Sequence, residues 1–412
     1  ATAWSDLDPG LDLWAEIDRL RKEKNAVILA HYYQDPEIQD LADFVGDSLD
    51  LSRKAAATDA DMIVFCGVRF MAEVAKTLSP TKTVVLPDLN AGCSLEESCP
   101  PDDFAKFVAQ HPDHIVVTYI NSSARVKALS DVIVTSSNAE HIVRNLPADK
   151  PILFAPDKHL GAYIQRQTGR EMVFWDGACI VHDRFSEREL VKLKARHPDA
   201  PVAAHPECHD GILKHADHVG STRSILDYVI AHPADTVIVA TEQHIFHQMQ
   251  KSAPGKTFLA APGADGTCNC ANCPYMELNT LEKLYLSMLN EAPRVEIDEE
   301  LRLKALKPLE RMLELSPPAK DGKNPKGGLN ARGRASARRQ GMNLKAPVKK
   351  GDNPRRASFL ARMGNMRGPE RKNGKPTRLL LSLRAWGASS KADARSKAAA
   401  ISKRNKAKKR KA

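Results

Sequence analysis

The feature that most constrains the fold is a repeat of 86 to 88 residues. Tyr119 follows His31 by 88 residues and His205 follows Tyr119 by 86, and each lies at the end of an apolar segment that fits a buried strand. These segments are 27–33, 115–121 and 201–207. Solenoid repeats are shorter, about 20 to 50 residues. The longer period predicts three similar small domains arranged about a pseudo-threefold axis.

Within each unit, short apolar runs alternate with amphipathic helical stretches. That order predicts parallel sheets covered by helices. We therefore predict an α/β fold of three homologous three-layer αβα domains with short parallel sheets. The expected divisions are an N-terminal helical segment at 1–25, domains at 26–110, 111–198 and 199–316, the last with a C-terminal helix, and a basic tail at 317–412.

The tail differs from the rest of the chain in composition. It holds 29 of the 61 Lys and Arg with only four acidic residues, so the net charge of +10 combines a basic tail with an acidic body. Because large apolar residues are few and irregularly spaced there, we predict disorder. A nucleic-acid-binding or nuclear-targeting arm is one interpretation. We favour a solvated extension or a shifted reading frame, and expect no nucleic-acid partner except through the tail.

All eight cysteines precede the tail and are too sparse for a disulfide scaffold. Cys93, Cys179 and Cys273 each follow the third strand of a unit, so three domains could supply three ligands of a 4Fe-4S cluster and leave one iron open as a Lewis acid. Each alone could be an ordinary buried cysteine. Cys268 and Cys270 stay as spare or redox-active thiols. The alternative to a 4Fe-4S cluster is a zinc site formed by the segment CNCANC at 268–273.

Polar residues recur at equivalent places in the three units. Ser48, Ser136 and the pair Ser221/Thr222 fall near predicted helix N-termini, where backbone N–H groups attract anions, although plain N-capping is the alternative. The strand ends supply imidazole, phenol, amide and carboxylate groups, which together suit acid–base catalysis. These residues are His31 with Tyr33, Tyr119 with Asn121, and His205 with Glu207. We interpret eight further histidines as surface or core residues, namely His141, His159, His182, His209, His215, His218, His244 and His247.

No apolar run reaches the roughly 18 residues of a membrane span, and the N-terminus lacks a signal-peptide pattern. We expect a cytoplasmic protein with no membrane partner.

Several segments carry a resemblance to a known family, among them AHYYQ, GDSLDLSRKAA, NAGCSLE, TYINSSARVKA, TSSNA, HPEC and CPYMELNTL. Over roughly residues 10–316 the chain resembles the quinolinate synthases. The resemblance implies three αβα domains about a pseudo-threefold axis and a 4Fe-4S cluster bound by Cys93, Cys179 and Cys273. It also implies condensation of iminoaspartate with dihydroxyacetone phosphate to quinolinate for NAD biosynthesis, with the open iron assisting the final dehydration and L-aspartate oxidase as upstream supplier.

The resemblance further implies which side chains line the substrate site: His31, Ser48, Tyr119, Asn121, Ser136, His205, Glu207 and Thr222. Tyr119, Glu207 and His31 are the expected catalytic residues. The chain departs from some family members in having CxCxxC where they have CxxCxxC, and in its tail. Two alternative hypotheses for the function are an aconitase-like hydro-lyase and a zinc-dependent RNA-binding protein that uses the tail.

Overall fold

The computed structural model describes residues 7–264, 271–317, 350–366, 369–372 and 375–411. The chain forms two compact units, Ala1–Ser316 and Pro317–Ala412. Over the described residues, every helix is too short or too polar to cross a bilayer.

The first unit contains three four-stranded parallel sheets, each with its first strand between the second and the third. This confirms the predicted α/β architecture of three αβα domains. The first domain has strands β1 (Ala26–His31), β2 (Phe44–Gly46), β3 (Met62–Cys66) and β4 (Thr83–Val85). Helix α1 (Leu13–Glu23) precedes this domain. The helices of the domain are α2 (Pro36–Leu41), α3 (Ser48–Ala57), α4 (Arg69–Leu78), α5 (Ser94–Glu97) and α6 (Pro101–Ala109).

The second domain repeats the arrangement. Its strands are β5 (Ile115–Tyr119), β6 (Val132–Val134), β7 (Ile152–Ala155) and β8 (Met172–Phe174). Its helices are α7 (Ala124–Lys127), α8 (Ala139–Arg144), α9 (Lys158–Thr168) and α10 (Glu187–Arg196), with a 3-10 turn at His182–Arg184.

The third domain has strands β9 (Val202–Ala204), β10 (His218–Val219), β11 (Thr236–Ala240) and β12 (Thr257–Ala260). Its helices are α11 (Asp210–Leu213), α12 (Thr222–Ala231) and α13 (Phe246–Ser252), with 3-10 turns at Gln243–Ile245 and Met276–Leu278. Two further helices follow, α14 (Leu281–Asn290) and α15 (Glu299–Leu315).

Alternate strand residues pack on opposite faces of each sheet, which explains why the strands read as continuous apolar runs. Ile28 packs with Ile17 and Leu284, whereas its neighbour Leu29 packs with the core shared by the first two domains. Helices α14 and α15 follow the third domain in sequence but contact the first two: α14 contacts α1 and β3, and α15 contacts α4, α7 and β6. The last helices therefore tie the domains together.

Strand register brings the polar positions of each unit to one edge of its sheet. His31 pairs with Gly46, two residues before Ser48, and Tyr119 pairs with Val134, two residues before Ser136. In the third sheet Ala204 pairs with Val219, just ahead of Thr222. Because parallel strands end together, each first-strand side chain lies beside the turn that opens the next helix.

The second unit corrects the prediction of disorder for its described residues. Helices α16 (Pro354–Gly364), α17 (Arg378–Ala385) and α18 (Lys391–Lys411) and the short strands β13 (Arg371–Lys372) and β14 (Lys375–Pro376) form there. Leu360, Leu383, Ala394, Ala398 and Ile401 are buried in a hydrophobic cluster of this unit. The apolar positions on α18 recur at i, i+4 and i+7, but two of the three are alanines, so a search for large apolar residues misses them.

Candidate active site

One cavity collects polar side chains from all three domains of the first unit. All eleven residues predicted from the sequence line it: His31, Ser48, Cys93, Tyr119, Asn121, Ser136, Cys179, His205, Glu207, Thr222 and Cys273. Their shared placement follows from the repeat, since each domain points its strand ends at the same space. Their individual roles stay predictions.

Two imidazoles in the cavity are held in the same tautomer by equivalent backbone contacts. The N–H of Tyr33 donates to His31 Nδ1 at 3.2 Å, and the N–H of Glu207 donates to His205 Nδ1 at 3.3 Å. Burial lowers the pKa of both histidines to about 3, so both rings are neutral at physiological pH. Because Nδ1 accepts, Nε2 carries the proton in each ring. His205 Nε2 lies 3.2 Å from Ser136 Oγ.

Glu207 is one of three buried acidic residues that line the cavity, with Asp47 and Glu242. The Tyr119 hydroxyl donates to Glu207 Oε1, and His182 Nδ1 lies 2.9 Å from Glu207 Oε2. Burial acts to raise the pKa of Glu207, but His205, His182 and the hydrogen bonds from His182 and Tyr119 outweigh it and hold the pKa below its usual range. Burial and the charge of Glu207 raise the pKa of Tyr119 well above normal. A carboxylate and a protonated phenol therefore face the cavity together.

The sequence interpretation missed a chain of hydrogen bonds that runs from Thr222 to Glu207. Tyr33 Oη lies 2.9 Å from Thr222 Oγ1 and 2.7 Å from Thr241 Oγ1, and Thr241 Oγ1 lies 2.9 Å from His182 Nε2. One arrangement of protons satisfies every contact: each hydroxyl donates towards the histidine, and its Nδ1–H donates to Glu207. Buried hydrogen-bond chains of this kind hold their members in fixed orientations.

His182 corrects the interpretation that it is an ordinary surface or core residue. It is buried, stacks on His205 at a centroid distance of 4.7 Å, and lines the cavity. The only feature of the sequence that could have indicated a role for His182 is its position three residues after Cys179. That position places His182 on the turn that follows the predicted cluster ligand.

The three cysteines share a local geometry that suits thiolate ligands. Each sulfur accepts hydrogen bonds from backbone N–H groups of the turn that follows it, a contact that stabilises a negative sulfur. The donors are Leu95 and Glu96 for Cys93, His182 for Cys179, and Tyr275 and Met276 for Cys273. Burial nevertheless raises the pKa of each thiol, to about 11 for Cys273, so a bound cation would be needed to deprotonate all three.

Other donors surround these sulfurs. Ligand atoms of Cys179, His182 and Glu207 lie within 4.8 Å of one another, a spacing that a metal ion could bridge. Asn121 Nδ2 is 3.9 Å from Cys93 Sγ, and its buried Oδ1 has no hydrogen-bond partner among the described residues. The arrangement fits metal binding. Cys268 and Cys270 lie outside the described residues.

The structure shows that Ser48 and Thr222, two of the predicted anion-binding residues, are not helix N-caps. Ser48 and Thr222 are the first residues of α3 and α12, but the caps are their neighbours Asp47 and Ser221. The side chains of Ser48 and Thr222 are therefore not used as caps. Ser136 lies three residues before α8. Helices α3 and α12, each of ten residues, still present their free N-terminal N–H groups to the cavity.

A buried lysine supports the loop that carries Asn121. Lys127 Nζ donates to the carbonyls of Ile120 (2.8 Å) and Ser122, which flank Asn121 in the chain. Burial lowers the pKa of Lys127 to about 8, against the opposing charges of Glu73 and Glu96. The lysine thus fixes the backbone on both sides of a residue that lines the cavity.

Comparison with known proteins identifies the family. The sequence model of the quinolinate synthetase A protein family matches residues 15–314. This chain belongs to the quinolinate synthetase A family. A domain family of unknown function, DUF6321, matches residues 322–386, which lie in the second unit.

Curated relatives agree with the quinolinate synthetase A assignment. The quinolinate synthase of Thermosynechococcus vestitus is 61% identical over 306 residues, which are 74% of this chain and 96% of the relative. That of Microcystis aeruginosa is 59% identical over 305 residues, 74% of this chain and 95% of the relative. That of Chloroherpeton thalassium is 58% identical over 306 residues, with the same two shares. These relatives are almost fully covered, so they have no room for a counterpart of the second unit.

Proposed function

We propose that the first unit is a quinolinate synthase that condenses iminoaspartate with dihydroxyacetone phosphate to quinolinate, phosphate and water, in NAD biosynthesis. The observation that carries this proposal is the cavity in which three domains bring together neutral imidazoles, hydroxyls, the buried carboxylate of Glu207 and three thiols. The family match and the names of the relatives support it.

Cys93, Cys179 and Cys273 would hold a 4Fe-4S cluster at one side of the cavity. The backbone N–H groups aimed at each sulfur support this assignment. When bound, such a cluster supplies an iron without a protein ligand, which acts as a Lewis acid.

The substrates carry two carboxylates and a phosphate, and the cavity offers matching donors. Ser48, Ser136 and Thr222 provide hydroxyls, and the helices opened by Ser48 and Thr222 add their N-terminal dipoles. The Nε2–H groups of His31 and His205 point donors at the same space without adding charge. Asn121 contributes an amide whose oxygen is still free to accept. We assign substrate binding to these residues.

Glu207 and Tyr119 would transfer protons. Glu207 is an ionised base that already accepts the Tyr119 hydroxyl, so substrate can exchange a proton with one partner while the other compensates. His182, Thr241 and Tyr33 would hold Glu207 in place through their hydrogen-bond chain. His31 keeps its predicted catalytic role as a neutral donor.

Iminoaspartate is unstable in water and would have to be supplied by an enzyme that oxidises aspartate, an L-aspartate oxidase. The cytoplasm remains our prediction for where this happens. No finding supports the two alternatives, an aconitase-like hydro-lyase or a zinc-dependent RNA-binding protein.

The test is anaerobic purification, iron and sulfide analysis, and an assay for quinolinate from the two substrates. About four irons with matching sulfide and formation of quinolinate support the proposal. About one zinc without sulfide contradicts the cluster assignment. A full cluster without product, in folded protein, favours the hydro-lyase alternative.

A further inference from the structure

The second unit concentrates positive charge on a folded helical scaffold. Residues 317–412 hold 29 Lys and Arg with four acidic residues. Within the described part, exposed basic side chains occur on all three helices: Arg362 on α16, Arg384 on α17, and Lys403 and Arg404 on α18. A folded scaffold keeps such charges close together instead of spreading them along a flexible chain.

The described acidic residues are used inside the unit. Asp352 pairs with Arg404 at 2.7 Å, and Asp393 pairs with Lys397 at 2.8 Å. Glu370 accepts the backbone N–H of Lys391 at 2.8 Å. These acids secure local structure and do not offset the surrounding excess of Lys and Arg. The unit therefore presents a net positive surface.

The shape of α18 indicates which kind of anionic partner fits. It spans 21 residues, or about 31 Å at 1.5 Å per residue, the length of roughly nine base pairs of a nucleic-acid duplex at 3.4 Å each. Its apolar residues Ala394, Ala398 and Ile401 are buried in the core of the unit. Because that face is occupied, the part of α18 whose side chains the structure describes leaves no apolar stripe to insert into a lipid surface. A regular array of phosphates fits this surface better than a membrane does.

We propose that the second unit binds nucleic acid through its phosphate backbone, without sequence preference. The binding is electrostatic and weakens steeply with salt as counterions are released. It is a second function, independent of the proposed synthase.

Fluorescence anisotropy of a labelled 20-base-pair DNA duplex tests this with the full chain, from 50 to 200 mM KCl. The variant R362Q/R384Q/K403Q removes three exposed charges from the second unit. Its matched control, K22Q/K106Q/K192Q, removes three exposed charges from the first unit.

We expect the full chain and the control to bind alike. The second-unit variant should bind more weakly, and its slope of log affinity against log salt should be smaller by about 2.7, since each of the three basic side chains neutralises one phosphate and contributes about 0.9 to the slope. A chain that ends at Ser316 should no longer bind the duplex and should keep synthase activity, which assigns the binding to the second unit. Circular dichroism of the second-unit variant should match that of the full chain, which excludes unfolding as the cause of its weaker binding.

Three results would overturn the proposal. The first is no binding by the full chain at 50 mM KCl. The second is equal binding by the chain that ends at Ser316. The third is binding to phosphatidylserine vesicles without binding to the duplex, which would assign the surface to membranes.

Discussion

Two buried carboxyl groups lie near the cavity in opposite protonation states, and the contrast permits a sharp test of the catalytic assignment. Glu207 is ionised because donors surround it. Asp157, the N-cap of α9, is fully buried, and its Oδ1 accepts the N–H groups of His159 and Leu160, both at 2.8 Å. Its Oδ2 has no partner within the described ranges. Burial and the charge of Glu207 raise the pKa of Asp157 well above normal, so it is protonated.

Replacing each group by its amide should therefore have unequal effects. Glu207→Gln removes a charge and an acceptor for Tyr119 or His182. Loss of a general acid–base group costs about 10²- to 10⁴-fold in rate, or about 2.7 to 5.4 kcal/mol in the barrier at 1.36 kcal/mol per tenfold. Asp157→Asn exchanges one neutral group for another of the same shape, and its oxygen still accepts both backbone donors. We expect it to stay within about threefold of the wild type.

The assay is single-turnover formation of quinolinate, with iron and sulfide content matched between variants and thermal unfolding recorded for each. Full turnover by Glu207→Gln would remove Glu207 from the chemistry. An equal loss of rate in Asp157→Asn would refute the argument from charge. It would show that any change to a buried carboxyl group near the cavity is enough to slow the reaction.

Three further predictions follow from other contacts. Thr241→Val breaks the hydrogen-bond chain to His182 without changing side-chain shape, and should lower kcat about tenfold or more while KM changes little; an unchanged kcat in steady-state assays would show that the chain is dispensable. Lys127→Met removes two charged hydrogen bonds beside Asn121 and should lower the free energy of unfolding by about 3 to 6 kcal/mol in urea titrations. The pKa of Lys127 falls from 10.5 in the unfolded chain to about 8 in the folded protein, so the unfolded chain binds this proton more tightly. The stability of the wild type relative to Lys127→Met should therefore rise between pH 8 and 10.5, by up to about 3 kcal/mol. A stability difference between the two proteins that does not change with pH would contradict this. Leu360→Asp should abolish the helical signal of the second unit and leave synthase activity intact; activity lost in parallel would mean that the two units fold together.

Much of the first unit could be predicted from the sequence because its information is local and repeated three times. The alternation of apolar runs with amphipathic segments implies parallel sheets, and His31, Tyr119 and His205 recur at one position of the repeat. Since parallel strands end at the same edge, recurrence in sequence becomes proximity in space. That physical link is why all eleven predicted residues line a single cavity.

The second unit shows where composition misleads. A segment rich in Lys, Arg, Gly and Ala normally lacks the apolar surface to fold. Here, small residues such as Ala394 and Ala398 complete the cluster around Leu360 and Ile401, and close helix packing makes alanine sufficient. Composition counts residue types, whereas burial depends on which of them share a face.

Sequence alone therefore determined the αβα repeat, the edge of each sheet that carries polar groups, and the cysteine of each domain. Only the tertiary structure decided which side chains meet between domains. Thr241 and His182 have no periodic signal, yet they connect Tyr33 to Glu207 because three domains approach one axis. The same approach buries Glu207 and Asp157 in different surroundings, which favour an ionised Glu207 and a protonated, neutral Asp157. Such contacts join residues that are far apart in the chain, and no local pattern encodes them.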